Sequence, residues 1–243
     1  MRYNLHTDFI LSSTVDVLED AVTASKAVGS GIETFSLNDY LMQSLFLKMT
    51  GFQEQKMKCI CWELATFDYE YRYEFSKSPL GECPTYKDKQ KIYTQLVLQI
   101  KKNGLEFGDL NLNKTVILNS TISDISNTFE DTNLSIWAQQ NFNTFKEFCS
   151  SVQTGHFANT EKSLFSDPKL QDIYENHLYR QRNRTAHNTS SYQQNLPTLK
   201  TLLDPKYDNL NYFIYFFLLV LIDKIFIALY KKYLEILDNG QTT

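Results

Sequence analysis

Glycine and proline are scarce. Eight Gly and five Pro in 243 residues supply too few turn residues for a chain of many short strands or of low complexity. Cysteine is scarce too, limited to Cys59, Cys61, Cys83 and Cys149. Cys59 and Cys61 have one residue between them, which is not the spacing of a zinc site, and no second close pair follows. They read as reduced structural thiols, one turned to the core and one toward the surface. Excess positive charge is lacking: the formal net charge is −4. That argues against binding nucleic acid through the whole surface but leaves room for a local basic patch. The first residues, Met1 to Asp8, have no apolar run of the signal-peptide kind. The most apolar stretch, Tyr212 to Ile222, is about half of what a membrane span needs and ends at Asp223-Lys224. A cytoplasmic protein with no membrane partner is the expectation. Glycine-rich phosphate loops, G-x-S-x-G and H-E-x-x-H are absent, and His6, His156 and His177 stand alone. No metal or other cofactor is expected.

Aromatics are abundant, with 17 Phe and 15 Tyr, and residues of that kind fill cores and interfaces. Helical periodicity dominates the chain. Leu41, Met42, Leu45, Phe46 and Met49 predict a helix that Gly51 closes. Met57, Ile60, Cys61, Leu64, Phe67, Tyr71 and Phe75 predict a second over about 53–77, before Ser78-Pro79-Leu80-Gly81 breaks the chain. Ile92, Tyr93, Leu96, Val97 and Ile100 predict a third, stopped near Asn103-Gly104. Between Leu105 and Asn133 the pattern suits a helix, but Thr115-Val116-Ile117-Leu118 also suits a short strand. Trp137, Phe145, Phe148 and Val152 fit a helix over about 134–153. Asp167-Pro168 and Asp204-Pro205 each look like an N-cap with proline at the first helical position. The helix after the second pair runs over about 206–237. It is apolar almost all round between Tyr212 and Leu221, so it is either the central rod of a bundle or partly a dimer interface. The expectation is an all-α protein: an N-terminal helical portion over 1–104 and a helical bundle over 105–243, with one continuous domain as the alternative.

The most unusual segment is Tyr179-Arg180-Gln181-Arg182-Asn183-Arg184-Thr185-Ala186-His187-Asn188. From Asn176 to Leu203 there is no Asp or Glu, while Arg180, Arg182, Arg184 and Lys200 make the stretch +4 inside a chain of −4. The plain explanation is a helix end, where arginines meet the negative end of the dipole. That explanation predicts acidic partners on the same face, and the segment offers none. The chemical explanation is anion binding joined to proton transfer. Arginine presents a fixed fork of donors suited to phosphate oxygens, and histidine moves protons near neutral pH. Cleavage of RNA by its own 2′-hydroxyl needs both kinds of group and no metal.

Arg182-Asn183-Arg184-Thr185-Ala186-His187 resembles the R-x4-6-H motif of HEPN-domain ribonucleases, in which the residue after the arginine is polar, as Asn183 is. Arg180 also satisfies the spacing to His187, but Gln181 follows it, so Arg182 is favoured. The resemblance covers roughly 134–237 and leaves the N-terminal half unassigned. It implies a HEPN-type helical bundle with an additional N-terminal helical portion. It also implies a metal-independent endoribonuclease of toxin or phage-defence type, working as a homodimer on RNA. Catalysis would fall to His187, Arg182 and Asn183, and phosphate binding to Arg180 and Arg184. An antitoxin or another defence protein is the implied restraining partner. The alternative is a non-catalytic HEPN-like subunit that binds RNA or nucleotide. Glu54-x3-Lys58 resembles an acidic–basic pair on another helix of some HEPN proteins. It departs from that pattern because Cys59, not Arg, follows Lys58, and an ordinary i,i+4 surface pair is the simpler expectation. Geometry adds a constraint. A step of five residues turns about 140° on a helix, so Arg182 and His187 converge only if the helix ends between them or if a second copy completes the site.

Overall fold

The computed structural model describes residues 4–29, 31–77, 81–187 and 210–240, with only the backbone of His187 and Gly240. It is mostly helical. In order come α1 (Leu5–Leu11), α2 (Thr14–Ser25), α3 (Phe35–Phe67), α4 (Tyr69–Lys77), α5 (Tyr86–Lys102), α6 (Lys114–Phe129), α7 (Asn133–Trp137) and α8 (Gln139–Ser151). A two-stranded antiparallel hairpin follows, β1 (Phe157–Thr160) and β2 (Ser163–Phe165). After it stand α9 (Pro168–Asp172), a π-helical segment (Ile173–Leu178), α10 (Tyr179–His187) and the last helix, α11 (Tyr212–Gly240).

The core is organised around α11. Every residue from Phe213 to Ile222 is buried, and α11 packs on α1, α2, α3, α5, α6 and α8. It is the central rod, and its apolar face is covered by its own chain. By length and apolarity it also meets the measure of a membrane span, yet most of its apolar window is buried inside the protein. Because α3, α5, α6 and α8 all use it, one hydrophobic cluster joins residues on both sides of Gly104. Aromatics fill the contacts with α6 and α8. Phe129 stacks on Phe216 at 5.6 Å, and Phe142 and Phe148 meet Phe213 and Phe217 edge-on at 5.0 and 5.7 Å.

Two sequence expectations change, at Gly51 and over 53–77, and the alternatives at Thr115–Leu118 resolve to helix. Gly51 does not close a helix: α3 runs straight through it, because the apolar residues on either side stay in phase and share one burial surface. The helix instead breaks at Asp68, whose backbone is extended and whose carboxylate accepts from Tyr71 N at 2.8 Å to start α4. Thr115–Leu118 lies in α6, not in a strand. Asn113 caps that helix by accepting from Val116 N at 3.1 Å. The hairpin at 157–165 was not expected, since its strands are too short to show alternation. The expected cap at Asp204-Pro205 and the first turn after it lie outside the described residues. Within them, Asn211 caps α11, its Oδ1 accepting from Phe213 N at 3.0 Å.

Gly51 is exposed, and a Cβ added there would meet nothing within 4 Å. Gly51→Ala is therefore expected to raise stability by about 1 kcal/mol, read as a higher urea midpoint with unchanged slope. An unchanged or lower midpoint would show that α3 is not continuous there.

One buried ion pair and one buried hydrogen bond fasten the N-terminal helices to the rod. Lys56 on α3 donates to Asp223 Oδ1 on α11 at 2.6 Å and also to the Ser12 carbonyl. Asp223 Oδ2 accepts from Thr14 N and Oγ1 at 3.0 and 3.1 Å. Thr7 Oγ1 and Tyr230 Oη share a hydrogen bond of 3.3 Å.

Candidate functional site

The arginine-rich segment sits on one continuous helical rod from Pro168 to His187. Asp167 starts it as the sequence suggests, accepting from Lys169 N at 2.8 Å with Pro168 at the first position. The π-helical turn at Ile173–Leu178 widens the rod while Ile173, Tyr174 and Leu178 stay buried. Such a turn re-phases everything after it and recurs at functional sites. It directs Gln181 to donate to Tyr212 Oη on α11 at 3.0 Å, and it directs Arg182 toward α3.

Arg182 is held at both ends of its guanidinium fork. Its Nη2 donates to Glu54 Oε2 at 3.1 Å and its Nη1 to Asn183 Oδ1 at 3.2 Å. The guanidinium side chain keeps 22% of its exposure, against 10% for the Glu54 carboxylate. The site is thus a guanidinium gripped from behind and open in front. Asn183 is half-buried, and Arg180 and Arg184 are exposed. His187 is the last residue of α10, and its side chain lies outside the described residues. Since α10 is unbroken between Arg182 and His187, a helix end does not bring them together. Their Cα atoms lie about 140° apart around the axis.

Glu54 corrects the surface-pair expectation. It is buried, and its partner is Arg182; Lys58 pairs instead with Glu82. The acid missing from the local sequence is therefore supplied by α3. Behind Glu54 stands a second cation, Lys89 on α5. It is buried, donates to the Cys83 and Pro84 carbonyls at 2.9 and 3.4 Å, and lies 5.2 Å from the centre of the Tyr174 ring. Burial holds its ammonium down to about 8, while Glu54, Cys83 and Asp88 pull it up and Arg182 pushes it down. Tyr174, wholly enclosed between the same charges, is pushed well above the usual phenol range by burial. Sequence alone marks neither Lys89 nor Tyr174 as a site residue. A signal for Lys89 existed: it falls three, four and seven residues before Ile92, Tyr93 and Leu96, in phase with the buried stripe of α5.

Lys89 makes stability depend on pH. Between pH 8 and the usual lysine range the unfolded chain holds a proton that the folded chain has released, so stability rises with pH across that window. Relative to Lys89→Met, the parent is expected to gain on the order of 2 kcal/mol in unfolding free energy from pH 8 to 10. Urea melts of both proteins at each pH measure it, and a constant difference would mean that Lys89 titrates normally.

The cysteines are thiols rather than thiolates at neutral pH. All four are unpaired with one another, and burial pushes Cys61 and Cys149 up to about 12 and Cys83 up to about 11. Among the other histidines, His6 meets Glu63 at 3.1 Å, His156 meets Asp167 at 3.2 Å and His177 lies 3.7 Å from Asp172. Comparison of the chain with protein-family models, with curated proteins and with solved structures finds no match.

Proposed function

We propose that this chain is a metal-independent endoribonuclease of the HEPN type, acting in the cytoplasm as a toxin or phage-defence effector. The observation that carries the reading is the grip on Arg182: a partly open guanidinium, fixed by Glu54 and Asn183, five residues before His187. In this reaction the 2′-hydroxyl of RNA loses its proton and attacks the adjacent phosphorus, and the 5′-oxygen leaves with a proton. His187 is the proton-transfer group. Arg182 stabilises the charge that builds on the phosphoryl oxygens. Asn183 holds the guanidinium plane, and Arg180 and Arg184 bind neighbouring phosphates. The unbroken helix between Arg182 and His187 supports completion of the site by a second copy of the chain. That interface must be sought at the exposed face of α10, because α11 is spent on its own core. An antitoxin or defence partner covering that face would restrain the activity.

The test is cleavage of RNA by the purified protein in EDTA. Products ending in a 2′,3′-cyclic phosphate and a 5′-hydroxyl are expected; RNA left intact would remove the assignment. A second reading, a non-catalytic HEPN-like module for RNA or nucleotide, draws on Glu54, which neutralises Arg182 within one chain. It predicts binding without cleavage, steeply weakened by salt.

A further inference from the structure

A second feature lies on the same helical rod, about 10 Å before Arg182. It is an open groove of about 410 Å³ walled by α5, the turn of the β1–β2 hairpin and the start of the rod. Its walls are pinned. Gln90 on α5 donates to the Lys162 carbonyl at 2.7 Å and accepts from Leu164 N at 2.7 Å. Tyr86 Oη accepts from Phe165 N at 3.0 Å, and Gln171 on α9 donates to the Phe165 carbonyl at 2.7 Å. An irregular two-stranded hairpin would be marginal by itself; here side chains hold it to both helices.

The charge of the groove is one-sided. Lys87, Lys91 and Lys162 line it and are exposed, with Glu175 the one acid on its walls. Among the described residues no ion pair includes any of the three lysines. Lys87 and Lys91 are one helical turn apart, about 6 Å along α5, with Lys162 on the facing hairpin turn. Three unpaired ammonium groups on rigid walls suit successive phosphates of one extended strand. The groove and the Arg182 site lie on the same rod, with the buried rings of Tyr86 and Tyr174 packed between them. Tyr86 borders the groove, the rings of Tyr86 and Tyr174 lie 5.9 Å apart, and Tyr174 is enclosed beside Glu54 and Arg182. Glu175, on its wall, stands two helical turns before Arg182 on the same rod.

We infer that this groove is the track along which the sugar–phosphate backbone of a single RNA strand reaches Arg182, an inference that rests on the ribonuclease reading. Lysines are point charges, so the track reads backbone and not base identity. It gives the hairpin a purpose: to carry Lys162 to the side of the groove opposite Lys87 and Lys91.

The experiment measures binding and cleavage separately on the full chain. Binding uses an unstructured 2′-O-methyl RNA, which lacks the nucleophile and stays intact; cleavage uses the same sequence as RNA. The track variant combines Lys87→Gln, Lys91→Gln and Lys162→Gln. A charge-matched control combines Lys26→Gln, Lys48→Gln and Lys231→Gln, three exposed lysines elsewhere. The track variant is expected to bind roughly tenfold more weakly at low salt, with the slope of log affinity against log salt shallower by about 2, while the control keeps the parent slope. Equal slopes for parent and track variant overturn the inference, as do equal losses in both variants or a parent that binds no RNA. Cleavage with no difference in binding removes the track and spares the ribonuclease. A difference in binding with no cleavage removes the ribonuclease and spares the track.

Discussion

His187→Ala is expected to slow RNA cleavage by about 10²–10⁴-fold, the range spanned by a positioned proton-transfer group, while RNA binding holds. The arginine segment supplies the binding charge without the imidazole, so the loss falls on turnover. Arg182→Ala is expected to cost about 10²–10³-fold, as when one donor to a developing oxyanion is removed. If the two residues act on one phosphate, the double variant is hardly slower than the worse single variant. Glu54→Gln separates positioning from charge. The amide keeps a carbonyl oxygen for the guanidinium but no longer neutralises it, so a positioning role predicts activity nearer the parent for Glu54→Gln than for Glu54→Ala. A His187→Ala protein that cleaves as fast as the parent would end the catalytic assignment.

The largest expected effect on the fold belongs to Asp223. Asp223→Ala should destabilise the protein by about 3–5 kcal/mol, because the Lys56 ammonium would remain buried without its carboxylate. Burial already holds Lys56 below and Asp223 above their usual ranges, against the attraction between them. The other carboxylate oxygen, Oδ2, which holds Thr14, would also be lost, freeing the start of α2. The double variant Lys56→Met/Asp223→Leu removes both charges and is expected to recover much of the loss. Urea melts of the three proteins measure it. Equal destabilisation of single and double variants would mean that packing, and not the ion pair, matters at this place.

The rod was legible in the sequence because its residues are apolar on all sides, a pattern that only a helix surrounded by protein sustains. The cap at Asp167-Pro168 and the helix carrying Ile92 to Ile100 were legible for equally local reasons, whereas the single helix expected over 134–153 is broken at Ala138 into α7 and α8. The break at Asp68 was not legible, since the apolar phase of 57–75 runs on through it and a capping carboxylate overrides it. The arginine segment stood out by charge alone. What sequence could not show is that its acid comes from Glu54, 128 residues away, because ion pairs between distant helices leave no spacing to read. The phase of Lys89 was visible, but a buried lysine in a polar run passes for a solvated one until its neighbours are placed.

The position of α11 in the chain orders events during synthesis. Residues 212–240 are the last helix described, yet α1, α2, α3, α5, α6 and α8 all pack on it, and Thr7 bonds to Tyr230 across 223 residues. Until that stretch leaves the ribosome, the earlier helices lack the rod that they share, although α3 can already pack on α1, α2, α4, α5, α7 and α10. Contacts of such long range are slow to form. The core is therefore completed only once residues 212–240 have been made, whereas the grip of Glu54 on Arg182 joins α3 to α10 and draws on no residue of the rod.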